Sequence, residues 1–111
     1  MRGELIVKEA KKWLNYNNWF EFETERKLDN SGLVVLVYKN AVGKSLPHYT
    51  SSLINMGTKV ERKDLQLWDL VFTTANHVGI FAGNNQFIHL TDDGKVRLSN
   101  IYSFFTARRI I

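Results

Sequence analysis

Three short stretches hold the side chains able to do chemistry: Asp29-Asn30-Ser31-Gly32, His77-Val78-Gly79-Ile80 and Phe87-Ile88-His89. An imidazole titrates near neutral pH, so His77 and His89 can each take up, give or relay a proton. Asp29 and Asn30 are residue types favoured at a helix start, where unpaired backbone N–H groups attract negative charge. A third histidine, His48, follows Leu46-Pro47. The three histidines lack the helical His-x-x-x-His spacing of a zinc site and have few carboxylates to join them, so no metal is expected. No cysteine is present, which excludes disulfides and thiolate-held zinc.

These residues need elements to position them. Ile6, Ala10, Trp13 and Leu14 recur at helical spacing and predict an amphipathic helix over 4–14. The run Leu33-Val34-Val35-Leu36-Val37-Tyr38 is ambiguous from its residues alone. Its β-branched content leans towards a buried strand, and periodicity does not separate that from a buried helix. Thr50 to Met56 reads as a short helix capped by Thr50 or Ser51 and stopped by Gly57. From Leu70 the texture turns to strand: Leu70 to Thr73, His77 to Ala82, Gln86 to Leu90, then an alternation from Val96 to Ser99 and a closing strand from Ala107 to Ile111. Gly83-Asn84-Asn85 signals a tight hairpin turn, and Asp92-Asp93-Gly94 a second turn. Helices first and antiparallel strands after make an α+β domain.

At 111 residues, with 44% hydrophobic and 13% aromatic residues, the chain supports one hydrophobic core and one domain over 1–111. No apolar stretch approaches the roughly 20 residues that span a bilayer, so no membrane role is expected. The start has no signal-peptide core, leaving both a cytoplasmic chain and a mature domain without its leader open. A net charge of +4 comes from scattered residues such as Lys8, Lys11, Lys59, Arg62, Arg108 and Arg109. No basic block or RNA-binding signature is present, which argues against nucleic acid. Nothing points to an assembly, and a monomer is expected.

In order along the chain, Asp-x-Ser-Gly-Leu, Leu-Pro, Asp-Leu-Val-Phe, His-Val-Gly-Ile and Phe-Ile-His resemble the motifs of the NlpC-type cell-wall peptidases. The resemblance spans nearly the whole chain and implies a small papain-like α+β fold, with N-terminal helices packed on an antiparallel sheet. It also implies that Leu33 to Tyr38 is helix. In that family a cysteine stands between the positions of Asp29 and Ser31, at the start of a buried helix whose N-terminus favours a thiolate. By position, His77 then resembles the general base and His89 the residue that orients it. Tyr16 matches a tyrosine near the nucleophile, and His48 a basic residue of the substrate groove. Trp19, Asp29 and Ser31 are the other candidates for holding substrate, with Trp19 able to stack on a peptide or sugar.

Asn30 breaks the pattern. A carboxamide has no ionisable proton near neutral pH and a poorly nucleophilic nitrogen, so no acyl-enzyme forms there. Ser31 is no substitute, because one residue along a helix rotates a side chain by about 100°. The resemblance therefore implies a hydrolase of peptidoglycan stem peptides, silenced at residue 30, needing no cofactor and acting on bacterial peptidoglycan or its fragments. An engineered replacement and a natural inactive relative both fit. The alternative is a non-catalytic module holding wall peptide or a protein partner. Two further departures, Leu67-Trp68 before Asp69 and Tyr16-Asn17-Asn18-Trp19 in the first loop, fall where the family usually has glycine, and bear on substrate choice.

Overall fold

The computed structural model describes residues 2–14, 30–91 and 93–110. The candidates Tyr16, Trp19 and Asp29 lie outside the described residues. Helix α1 spans Arg2–Lys11, α2 spans Asn30–Val42, and α3 is a single turn, Thr50–Leu53. The strands are β1 (Thr58–Lys59), β2 (Leu70–Thr74), β3 (His77–Gly83), β4 (Gln86–Leu90), β5 (Val96–Asn100) and β6 (Thr106–Arg109). They form one antiparallel sheet in the order β1-β6-β2-β3-β4-β5. The helices pack on this sheet, which is the expected papain-like α+β arrangement.

Residues 33–38 are helix, not strand. Leu33, Val34, Val37 and Tyr38 of α2 are fully buried, packed between α1 on one side and β3 and β4 on the other. β-Branched residues cost a helix only a few tenths of a kcal/mol each. Burying each such side chain returns about 1.5–3 kcal/mol, so the packing decides. A helix apolar on nearly every side is a buried helix.

The near end of α1 is pinned by contact with the entry to β2. A Cβ on Gly3 would lie 1.5 Å from Cε3 of Trp68, so only glycine lets that ring seat against the helix. Trp68 has φ of 85°, a left-handed conformation that most side chains avoid. It is held there in part by the Tyr38 hydroxyl, which donates to the Trp68 carbonyl. Burial pushes the Tyr38 phenol well above its ordinary pKa, and the neighbouring Asp69 adds to that.

Smaller corrections concern element ends. Residues 12–14 leave α1 through a tighter turn, with backbone bonds reaching back three residues. Tyr49, not Thr50 or Ser51, caps α3, and no side chain caps it; the Thr50 hydroxyl is engaged elsewhere. The helix also ends at Leu53 and not at Met56. The hairpin turn is as expected, with positive φ at Gly83, Asn84 and Asn85. The last strand is Thr106–Arg109, and β1, which the sequence did not signal, pairs with it.

The two sheet faces differ. One carries the main core, including Ile6, Leu33, Leu70, Phe72, Ile80 and Ile88. The other buries Val71 and Phe87 beneath Ile101, with Leu65, Phe81 and Phe104 around them.

Candidate active site

Asn30 is the first residue of α2 and meets the start of β3. Its Nδ2 donates to the Asn76 carbonyl at 3.3 Å and faces His77 Nδ1 at 3.4 Å. Its Oδ1 accepts from the Thr50 hydroxyl at 2.8 Å. A carbonyl only accepts, so Asn76 fixes which way round the carboxamide sits. His77 Nδ1 must then accept, over a long bond, and the ring proton belongs on Nε2.

From there the hydrogen bonds run one way. His77 Nε2 lies 2.7 Å from His89 Nδ1, and His89 Nε2 lies 2.8 Å from Ser99 Oγ. With His77 donating through Nε2–H, His89 accepts at Nδ1 and donates through Nε2–H to Ser99. The line Thr50–Asn30–His77–His89–Ser99 is thus polarised throughout.

Packing holds the imidazoles in place. Phe87 stacks on His89 with centroids 4.0 Å apart and planes 19° apart, and meets His77 edge-on at 6.3 Å. The two imidazoles are themselves nearly perpendicular, 5.0 Å apart. Gly79 makes room for this group: a Cβ there would lie 2.4 Å from the Phe87 ring and 2.9 Å from His89 Cβ.

His89 is 3% exposed. Burial, and secondarily His77, lower its pKa to about 4, so near neutral pH it serves as an acceptor. An unfolded histidine titrates near 6.5. Between these values the unfolded chain binds more protons, so this contribution to stability is complete above about pH 6.5 and is lost as pH falls towards 4. Urea unfolding across that range should show the decline, and His89→Gln should flatten it. An equally steep profile in the variant would assign the acid sensitivity elsewhere.

Ser31 and His48 meet differently. Ser31 is buried and its hydroxyl donates to the His48 carbonyl at 3.4 Å, while His48 itself is exposed in the loop before α3. The sequence-based search missed Thr50, Asn76 and Ser99. The signal for Ser99 was present: the Val96-to-Ser99 alternation and the preceding turn pair Ser99 with Phe87 and Arg97 with His89, which puts Ser99 diagonal to His89 on one face.

Beside the two imidazoles opens a cavity of about 420 Å³, lined among the described residues also by Thr73, Thr74, Thr91, Ser99 and Tyr102. In chemical terms the centre offers a base, aligned by a second imidazole, next to a helix N-terminus. That is the equipment for activating a nucleophile at residue 30, if residue 30 had an ionisable proton.

Known proteins resemble this chain in sequence and in fold. The NlpC/P60 family model matches residues 17–111. Gamma-DL-glutamyl hydrolase of Bacillus subtilis is 40% identical over 79 residues, covering 69% of this chain and 19% of that protein. A probable endopeptidase NlpC of Escherichia coli is 38% identical over 99 residues, covering 78% of this chain and 64% of that one. The chain therefore spans less than two thirds of the length of either relative. Among solved structures, the NlpC/p60 domain of the peptidoglycan hydrolase SagA superposes with a TM-score of 0.83 at 25% identity, over 97% of this chain and 98% of that one.

Proposed function

The chain belongs to the NlpC/P60 family, and from that premise we propose a peptidoglycan stem-peptide hydrolase site that is silent because Asn30 stands at the position of the nucleophilic cysteine. The observation that carries this reading is the line from Asn30 through His77 Nδ1 and Nε2 to His89 at the head of buried helix α2. In an active site of this kind the thiol proton passes to His77 Nδ1. The resulting imidazolium is steadied by its Nε2–H bond to His89, and the thiolate attacks the amide carbon. Asn30 supports the binding half of that sequence and not the chemical half. Tyr16, Trp19, Asp29, Ser31 and His48 are the proposed substrate-holding residues.

The relatives suit this substrate class, being named a gamma-DL-glutamyl hydrolase, an endopeptidase and a peptidoglycan hydrolase. One observation favours a second reading, a non-catalytic module that holds wall peptide or a protein partner. Asn30 is bonded at both ends of its carboxamide, to Thr50 on one side and to Asn76 and His77 on the other, so it fits the site as a native residue would.

The silent-site reading and a module holding wall peptide both expect the protein to sediment with purified insoluble peptidoglycan while the supernatant gains no new primary amines. Amine release above the buffer level would refute the silent site. Failure to sediment would refute wall binding.

A further inference from the structure

We infer that the cavity beside His77 and His89 is a subsite for an uncharged pyranose ring bearing hydroxyl and acetamido groups, held by Thr73, Thr74, Ser99 and Tyr102. The inference rests on the wall-binding reading above and adds a sugar to the peptide that the reading already supplies.

Charge is the first argument. No Asp, Glu, Lys or Arg among the described residues lines this cavity, and burial keeps His89 neutral near neutral pH. A charged ligand would lose its hydration without gaining a partner, at a cost of several kcal/mol. The volume, about 420 Å³, lies in the lower part of the roughly 300–1,000 Å³ range of small-molecule sites.

Hydrogen-bonding capacity is the second. Thr73 is 3% exposed, and its Oγ1 is buried with no partner among the described residues. Such a group costs stability unless something satisfies it. Thr74 Oγ1 accepts from the Asn76 N–H at 3.2 Å, and Ser99 accepts from His89, so each keeps a hydroxyl proton to give. Thr91 is spent on its own turn, bonding the Lys95 carbonyl at 3.0 Å and the Asp93 carboxylate. The Thr73, Thr74 and Ser99 hydroxyls therefore each keep one proton to donate and at least one lone pair to accept. The matching ligand carries both acceptor oxygens and donor protons, as hydroxyl and acetamido groups do.

Shape is the third. Tyr102 is 66% exposed, with its ring 5.9 Å from Phe87 and 6.3 Å from His89. It offers a flat apolar face beside a polar wall, which suits the C–H face of a sugar ring. The segment carrying it is anchored by backbone bonds from Ile101 to Asn85 and from Phe105 to Phe72, both 2.8 Å, and by Ser103 Oγ donating to the Thr73 carbonyl. The backbone that carries the ring is therefore anchored before any ligand arrives, which lowers the entropy cost of binding.

The test titrates isotope-labelled protein with methyl N-acetyl-β-D-glucosaminide by NMR, with acetyl-alanyl-alanine amide as an uncharged, sugar-free peptide. The glycoside should shift Thr73, Ser99 and Tyr102 saturably, and Tyr102→Ala should weaken it at least about tenfold. Thr73→Val should also weaken it while leaving thermal stability equal or higher, because it deletes an unsatisfied hydroxyl. Absent or unsaturable shifts, unchanged affinity in both variants, or equal binding of the peptide at these residues would overturn the subsite. Sedimentation with peptidoglycan, measured in parallel, separates the two claims: if it persists without glycoside binding, only the sugar subsite falls.

Discussion

Asn30→Cys should convert a protein that releases no amines from purified peptidoglycan into one that does, and adding His77→Ala should remove about 10²- to 10⁴-fold of that gain. The new thiol would head α2, where the helix dipole favours its thiolate. It would take over the place from which the Asn30 carboxamide faces His77 Nδ1 at 3.4 Å. His77 already has Nδ1 free of a proton, because the carboxamide requires it to accept, so the base starts in the working tautomer. His89 and Ser99 keep their geometry, since neither touches Asn30 directly. The substitution leaves the Thr50 hydroxyl and the Asn76 carbonyl without their partner; Asn76 is exposed, so water can replace that bond at little cost. A folded Asn30→Cys protein that binds peptidoglycan and releases nothing would end the hydrolase reading and leave the binding module. Equal release with and without His77 would remove His77 from the role of base.

Much of this centre was legible in the sequence, for physical reasons that differ from residue to residue. His77 and Gly79 are two apart on one strand, and the Phe87-to-His89 arm follows a turn whose glycine and asparagines force a hairpin. The group therefore had to come together whatever the rest of the chain did. Asn30 joins it only through tertiary packing of α2. The residues of α2 by themselves lean towards strand, and their helical state comes from burial on nearly every side, which a local pattern does not contain. Thr50 was misread for a related reason: a threonine at a helix start normally caps it, but here its hydroxyl goes to a side chain twenty positions earlier. Ser99 was overlooked because a serine in an alternating strand looks like an ordinary solvent-facing residue until the register places it against His89. The cavity wall combines residues from β2, β3, β4, the turn after β4, β5 and the segment after β5, so no window of sequence displays its hydroxyls together.

Asp69→Ala should lower stability by about 3 kcal/mol, a large share of the roughly 5–15 kcal/mol that holds a domain together. In a chain of this size that corresponds to a fall in melting temperature of roughly 10 °C or more. Asp69 opens the Asp-Leu-Val-Phe motif and is fully buried. Its two oxygens take Arg109 Nε and Nη2, each at 2.9 Å, in a fork of paired bonds, and Oδ2 also accepts the Gln66 N–H at 2.8 Å. The same guanidinium reaches the Asp64 carbonyl at 3.0 Å, so one carboxylate ties β6 and the turn before β2 together. The bonds to Asp69 hold the Arg109 pKa above its ordinary value. Removing the carboxylate strands a partly covered guanidinium and a backbone N–H at once, and unmet bonds of this kind cost more than made ones contribute. Asp69→Asn, which keeps the shape and one acceptor, should fall between the two. Asp93→Asn is the contrast, since the Asp93–Arg97 pair lies at the surface and exposed pairs add little; its melting temperature should match the parent. If Asp69→Ala also melts with the parent, the Asp69–Arg109 fork does not hold the β2–β6 seam, and the apolar packing of the sheet must carry it alone.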